Sequence, residues 1–169
     1  VDVLEHIASE PDVDEILMVV GSSQYDHEHK SKVAPWAVNP FTYEERKQMI
    51  HETLEGKLAK PYQVHPVIDY HNYPKWFNHI ATQLPEFSYL YTSVPNERTF
   101  FEQQGRQVRG FPVRFKYHAG IIRERMATGK PYKDALPEQV IAICDQVGAE
   151  QRIKELWARD IADFMRQGL

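Results

Sequence analysis

The chain has 169 residues, of which 42% are hydrophobic and 26% are charged, and its formal net charge is −4 at pH 7. These values are typical of a globular protein, and the length favours one domain with room for a small appendage. No apolar run exceeds five residues, as at 16–20, far fewer than the ~18 of a membrane helix. The sequence therefore rules out a membrane-spanning helix, and we expect no membrane partner. The acidic charge argues against nucleic acid as a partner, and the single cysteine, Cys144, excludes an internal disulfide and permits a reducing cytoplasm.

Hydrophobic periodicity and helix-stop signals divide the chain into alternating helices and strands. Thr42 and Glu45 have the spacing of a capping box, which predicts a helix that begins at residue 43. The run Ile-Leu-Met-Val-Val at 16–20 predicts a central parallel strand that is buried on both faces. The charged residues 25–38 have little apolar surface to bury and are predicted to form a mobile loop. In chain order the predicted elements are a helix (2–9), a strand (13–20), a helix (43–55), a strand (62–68), a helix (74–84), a strand (87–91), a helix (95–104), an extended segment (107–115) and helices at 121–128, 137–147 and 150–167.

Strands that alternate with helices predict an α/β fold, a doubly wound parallel sheet with helices on both faces. The last two helices are predicted to form a small C-terminal helical subdomain. Ligands of such sheets bind at the carboxyl ends of the strands. Candidate residues therefore follow the predicted strands, at 21–24, 69–76, 92–96 and 117–123.

Two of these segments suit a phosphate. Gly21, with Ser22, can bring backbone N–H groups close to an anion, although a simple turn after a strand explains the same residues. The helix after His118 and Gly120 offers its N-terminus, where Arg123 can clamp a phosphate, while Arg125 is predicted to face solvent. A solvated basic helix start is the alternative.

Other candidates come from an aromatic side chain and from the long loop. Trp76 follows Asp69 closely, so that an indole can stack on an aromatic ligand ring while the carboxylate binds its polar group; a core tryptophan is the alternative. Lys30 and Lys32 can close over a triphosphate, or can belong to a solvated loop. The sequence has no Walker or dinucleotide glycine motif, and no residues from which we predict a protein metal site.

The first residues already follow a helical pattern and lack an initiating Met. We therefore expect that the chain is entered partway through a helix, and that a segment upstream of Val1 is missing from the sequence.

In shared order and spacing, several stretches resemble the archaeal-type nicotinamide mononucleotide adenylyltransferases, which belong to the nucleotidyltransferases named for their H-x-G-H motif. The resemblance runs nearly end to end, although the H-x-G-H segment and the first strand would lie before Val1. It implies a Rossmann-like nucleotidyltransferase domain at 1–130 and packed C-terminal helices at 131–169. The stretches that carry it are Gly-Ser-Ser-Gln (21–24), Asn-Pro-Phe-Thr-Tyr-Glu-Glu-Arg (39–46), Pro-Val-Ile-Asp (66–69), Trp76 with His79, Arg-Glu-Arg-Met (123–126), Leu-Pro-Glu (136–138) and Arg-Ile-Lys (152–154).

The resemblance implies an enzyme that joins nicotinamide mononucleotide (NMN) to the adenylyl group of ATP, with NAD and pyrophosphate as products. It implies Mg²⁺ bound with ATP, a cytoplasmic location and a homo-oligomer as a possible assembly. Arg123 would be the catalytic residue. By the same resemblance, Gly21 and Ser22 would bind the nucleotide, Arg123 would hold the ATP phosphates, and Trp76 would stack on nicotinamide with Asp69 near its amide. From their places in the long loop and at the start of the predicted helix, Lys30, Lys32, His118 and Gly120 are added to the predicted nucleotide-binding residues. Thr92, which follows a predicted strand, is added to the substrate-binding residues.

Two departures from the family pattern motivate alternatives. Residues 118–120 are His-Ala-Gly where the family has Ser-Gly-Thr, and residues 92–94 are Thr-Ser-Val where it has Ser-Gly-Asn. The first alternative is an adenylyl- or cytidylyltransferase that acts on another phosphate-bearing metabolite. The second is a non-catalytic nucleotide-binding protein, if the chain truly starts at Val1.

Overall fold

A computed structural model describes residues 2–21, 40–68, 70, 72–111 and 118–166. It confirms the alternation of strands and helices. In chain order the elements are α1 (Asp2–Ala8), β1 (Ile16–Val20), α2 (Tyr43–Leu54), β2 (Tyr62–Pro66), α3 (Tyr73–Gln83), β3 (Tyr89–Tyr91), α4 (Pro95–Gln103), β4 (Gln107–Arg109), α5 (Ala119–Ala127), a 3₁₀ turn (Lys133–Ala135), α6 (Glu138–Gln146) and α7 (Ala149–Arg166).

The described residues form two compact units. The first contains residues 2–21 and 54–111, and the second contains residues 40–53 and 118–166. The predicted domain boundary at residue 130 lies inside the second unit, between α5 and the 3₁₀ turn. None of the described helices is long and apolar enough to cross a membrane.

The strands of the first unit pair in parallel, as predicted. β1 pairs with β2 in a register that runs from Ile16 opposite Tyr62 to Val20 opposite Pro66, and β3 pairs with β4. One further hydrogen bond extends each pair at its carboxyl end, from Val67 N–H to the Val20 carbonyl (3.1 Å) and from Thr92 N–H to the Arg109 carbonyl (3.2 Å). Gly21 and Thr92 therefore stand at the strand ends, where parallel sheets bind ligands.

The prediction that β1 is buried on both faces is wrong at Val19, which is 39% exposed. Alternate residues of a strand face opposite sides, and the apolar cluster that contains Ile16 and Met18 covers one of them. Within the described part of the chain β1 pairs with β2 alone, so the structure does not place it at the centre of a sheet. The apolar run at 16–20 therefore identified the strand without fixing its position.

Helix α3 begins at Tyr73, one residue before the predicted start, because Asn72 accepts a hydrogen bond from Lys75 N–H (3.0 Å) and Pro74 stands in the first turn. It packs on α4 through aromatic rings. Phe101 is fully buried, and the rings of Phe77 and Phe100 meet it edge to face at 5.6 and 5.8 Å between centroids. This aromatic cluster is the core beneath the ends of β2 and β3.

In the second unit, the capping box predicted for α2 is confirmed. Thr42 N–H donates to Glu45 Oε2 (2.9 Å), and Glu45 N–H donates to Thr42 Oγ1 (3.2 Å). The core joins α5, α6 and α7 through Met126, Cys144 and Ile153. Burial raises the pKa of the Cys144 thiol to about 11, which confirms a buried structural cysteine.

Candidate active site

Four of the predicted site residues, Ser22, Lys30, Lys32 and Asp69, lie outside the described residues, as does the loop at 25–38 that is predicted to be mobile. The first unit contains Gly21, Trp76 and Thr92, and the second contains His118, Gly120 and Arg123.

Gly21 directly follows β1. A Cβ atom built there would lie 3.8 Å from the Val67 carbonyl oxygen, which is ordinary van der Waals contact. Packing against Val67 therefore does not require glycine at this position. Both interpretations from the sequence, a simple turn and a backbone that approaches a phosphate, stay open.

Trp76 lies on α3 and combines the two roles that the sequence left open. Its ring meets Phe101 edge to face, at 5.5 Å between centroids and 89° between planes, so part of the indole belongs to the core. The side chain is nevertheless only half-buried, which leaves indole surface for a stacking ligand. One turn further along α3, His79 Nδ1 lies 3.4 Å from the Tyr70 hydroxyl, which ties the chain next to Asp69 to this helix.

Thr92 is buried, with 7% of its surface exposed, and its hydroxyl makes two hydrogen bonds. The hydroxyl donates to Glu97 Oε2 (2.6 Å) and accepts from Val94 N–H (3.1 Å). It thereby caps α4, whose own N-cap, Val94, has no side-chain acceptor. Since a hydroxyl has one donor, Thr92 can offer a substrate acceptors only. No local sequence pattern points to Glu97, because its spacing from Thr92 is not that of a capping box.

At the start of α5 the structure brings His118 and Gly120 together. His118 is the extended N-cap, and its side chain is exposed and makes no capping hydrogen bond. A Cβ atom at Gly120 would lie 3.0 Å from His118 Cε1 and 3.1 Å from Nδ1. Glycine therefore lets the imidazole lie against the first turn of the helix, and a larger residue would displace it.

The N-terminus of α5 differs from those of the other described helices. The first turns of α1, α2, α4, α6 and α7 carry acidic residues, and that of α3 is capped by Asn72. The first turn of α5 has neither an acid nor a side-chain cap. The backbone N–H groups of Ala119 and Gly120 have no hydrogen-bond partner in the part of the chain that the structure describes. With the helix dipole, these groups favour an anion.

Arg123 lies one turn into α5 and is half-buried, and this burial lowers the pKa of its guanidinium. An arginine still remains charged at neutral pH. Arg125 lies at the surface, as predicted, although it is half-buried there and donates to the Pro131 carbonyl (3.4 Å). The reason is a reversal of the chain after α5, where Gly129 adopts a φ of 70° and Lys130 N–H donates to the Arg125 carbonyl (2.8 Å).

One ion pair in the second unit was missed by the sequence analysis. Arg152 on α7 donates to both carboxylate oxygens of Glu45 (2.8 and 3.0 Å), to the Pro40 carbonyl (3.0 Å) and to the Val147 carbonyl (3.1 Å). Burial alone would raise the pKa of Glu45, but the hydrogen bonds from Arg152 and Thr42 outweigh it and hold that pKa below its usual value. Glu45 and Arg152 belong to two separate family-like stretches, and this contact joins them.

Among the described side chains, no group of three or more His, Cys, Asp or Glu residues is placed to hold a metal ion.

The parallel strands and their connecting helices define a Rossmann-like α/β fold. A bifunctional NMN adenylyltransferase/ADP ribose pyrophosphatase from Francisella tularensis has a similar fold, with a TM-score of 0.60 and 18% identity, over 88% of this chain and 46% of that chain. A second structure from that organism, in complex with AMP and a manganese ion, has a TM-score of 0.56 and 18% identity, over 91% of this chain and 47% of the other.

No protein-family model matches the sequence. A nicotinamide-nucleotide adenylyltransferase from Thermoplasma acidophilum is 31% identical over 161 residues, which cover 94% of this chain and 84% of that relative. The chain therefore belongs to the nicotinamide-nucleotide adenylyltransferase family and is an enzyme of the nucleotidyltransferase class. This confirms the resemblance and the fold class predicted from the sequence.

Proposed function

We propose that the protein transfers the adenylyl group of ATP to NMN, with NAD and pyrophosphate as products. The observation that carries the proposal is the N-terminus of α5, which is free of acids and side-chain caps and has Arg123 one turn further on. Family membership supplies the substrates, because the relatives are named for this reaction. Nothing observed favours CTP or another acceptor.

The reaction needs positioning and charge stabilisation rather than a protein nucleophile. A phosphate oxygen of NMN attacks the α-phosphorus of ATP. The bond from that phosphorus to the bridging oxygen breaks, and pyrophosphate leaves with the electron pair. Arg123 and the N–H groups of Ala119 and Gly120 are proposed to bind ATP phosphates and to stabilise the charge that develops there, with His118 alongside.

A divalent cation is proposed to accompany ATP. The Francisella tularensis neighbour holds a manganese ion together with AMP, and for this protein we propose Mg²⁺. Since no cluster of three ligating side chains occurs among residues 2–21, 40–68, 72–111 and 118–159, the phosphates and water would supply most ligands. When bound, the ion neutralises phosphate charge.

On the acceptor side, we propose that Trp76 stacks on the nicotinamide ring and that Asp69 and Thr92 bind polar groups of NMN. Gly21, Ser22, Lys30 and Lys32 complete the proposed nucleotide-binding set. We also propose that the protein is located in the cytoplasm and that it forms a homo-oligomer.

The reaction is tested with the full-length protein, ATP, Mg²⁺ and NMN, and NAD is followed by its reduction in a coupled dehydrogenase assay. Parallel reactions replace ATP by CTP, and NMN by other phosphate-bearing acceptors, with pyrophosphate release as the common readout. We expect the highest kcat/KM for ATP with NMN. A higher kcat/KM for CTP or for another acceptor would establish the alternative transferase, and the absence of pyrophosphate release with every pair would contradict an enzyme.

The role of Arg123 is tested by calorimetric titration of ATP into Arg123→Ala and Arg125→Ala. Loss of a charge-assisted hydrogen bond to phosphate costs about 1.5–3 kcal/mol, so we expect roughly 10- to 150-fold weaker binding for Arg123→Ala. Arg125→Ala is the matched control from the same helix and should change Kd by about twofold or less. Equal small losses would remove Arg123 from the site.

A further inference from the structure

Arg98 on α4 reaches across to the end of β4. Its Nη1 donates to the Val108 carbonyl (3.3 Å) and to Glu102 Oε1 (3.2 Å). Gly110 follows β4 directly, and a Cβ atom there would lie 3.1 Å from Arg98 Nη2. The guanidinium therefore lies against the backbone of Gly110, in a position that an ordinary side chain at residue 110 would disturb.

The Nη2 donors of the guanidinium make no hydrogen bond in this contact. Both hydrogen bonds of the Arg98 guanidinium involve Nη1, and Nη2 has no partner among the residues that the structure describes. The side chain is 38% exposed, so a ligand can reach it. Arginine presents its N–H donors in one plane, and fixing Nη1 orients the Nη2 donors before any ligand binds.

The place of Nη2 indicates the ligand. Gly110 is the first residue beyond the carboxyl end of β4, which is the edge of a parallel sheet where ligands bind. The neighbouring N-terminus of α4 is unsuited to an anion, because the Glu97 carboxylate is held there by the Thr92 hydroxyl (2.6 Å). Arg98 thus offers this strand end a positive charge that the helix does not.

We propose that Arg98 is a further substrate-binding residue, which donates from Nη2 to a phosphate oxygen of a bound nucleotide. The proposal rests on the proposed function, which supplies two phosphate-bearing nucleotides, ATP and NMN. If Arg98 only held α4 against β4, the hydrogen bonds from Nη1 would be sufficient. A binding role instead uses Nη2, which lies against the backbone of Gly110 at the end of β4.

Two variants distinguish a binding role of Arg98 from a purely structural role in holding α4 against β4. Arg98→Lys keeps one cationic donor for Glu102 and Val108 but removes the second nitrogen. Gly110→Ala keeps Arg98 and pushes Nη2 aside, and Gly110 does not have the positive φ that would strain an alanine. Arg106→Lys is the matched control, because Arg106 precedes β4 and lies over the rings of Phe77 and Phe87 at 5.7 and 5.4 Å.

ATP with Mg²⁺ and NMN are titrated separately into each full-length variant, and Tm is measured alongside. We expect Arg98→Lys and Gly110→Ala to weaken binding of at least one nucleotide by roughly 10-fold, with Tm unchanged and Arg106→Lys like wild type. The nucleotide that responds identifies the phosphate. Unchanged affinities in both variants, or losses matched by a lower Tm, would overturn the proposal. Because the titrations need no turnover, their result is independent of whether the wild type synthesises NAD.

Discussion

Replacing Arg152 by alanine is expected to lower the stability of the second unit more than the loss of an exposed ion pair there would. The change removes four hydrogen bonds and leaves the Glu45 carboxylate, 18% exposed, with its contacts to Thr42 alone. Breaking a fully buried pair costs about 3–5 kcal/mol. Since Arg152 is itself 28% exposed, we expect a smaller loss, about 2–3 kcal/mol, or a fall in Tm of roughly 4–12 °C for a chain of this length.

The assay is urea unfolding followed by circular dichroism, with the free energy of unfolding extrapolated to water. Lys154→Ala is the matched control, because Lys154 lies on the same helix and makes an exposed pair with Glu150 (2.6 Å). That pair should contribute only about 0.3–0.5 kcal/mol. The double variant with Glu45→Gln should lose less than the sum of the single variants, because the two residues share one interaction. A loss for Arg152→Ala no larger than that for Lys154→Ala would refute the reasoning.

Further predictions concern pH, the α4 cap and the two proposed subsites. Because the pKa of folded Glu45 is lowered, its stabilising contribution is complete above the unfolded value of ~4.3 and is lost as pH falls through the folded value; the stability difference between wild type and Glu45→Gln should shrink below about pH 4 in urea titrations. Thr92→Val should cost about 1–3 kcal/mol, because Glu97 and Val94 lose their partner, and Thr92→Ser should restore most of it. Gly120→Val should displace the His118 ring and weaken ATP binding in calorimetry without changing KM for NMN. Trp76→Phe should raise KM for NMN in the coupled assay and leave KM for ATP unchanged.

Local sequence signals predicted the elements of the fold well. The capping box of Thr42 and Glu45 placed the start of α2 at the correct residue, because its two hydrogen bonds join residues only three apart. Strand existence followed from apolar runs, but strand ends did not. The predicted strand at 13–20 begins at Ile16 in the structure, since Val13 is buried in the same cluster without being part of the ladder. Burial and strand pairing produce the same apolar pattern.

Contacts between residues that are far apart in the sequence could not be predicted from local patterns. Arg109 at the end of β4 lies over the Tyr89 ring and pairs with Glu10 and with both carboxylate oxygens of Asp12, which joins the turn before β1 to the β3–β4 pair. This pairing holds the pKa of Asp12 far below its usual range. Nothing in the local pattern of either acid distinguishes it from a solvated surface residue.

The same division between local and distant contacts decides which site residues a sequence can name. His118, Gly120 and Arg123 were candidates because a helix N-terminus and its first turns are read from consecutive residues, and the geometry of α5 depends on the same short segment. Arg98 and Gly110 are twelve positions apart, and each is ordinary by itself, one on a helix surface and the other after a strand. Only the packing of α4 on β4 brings the arginine against the glycine. The proposed binding role of Arg98 therefore rests on tertiary structure, whereas the proposed anion site of α5 rests on local structure that the sequence already encodes.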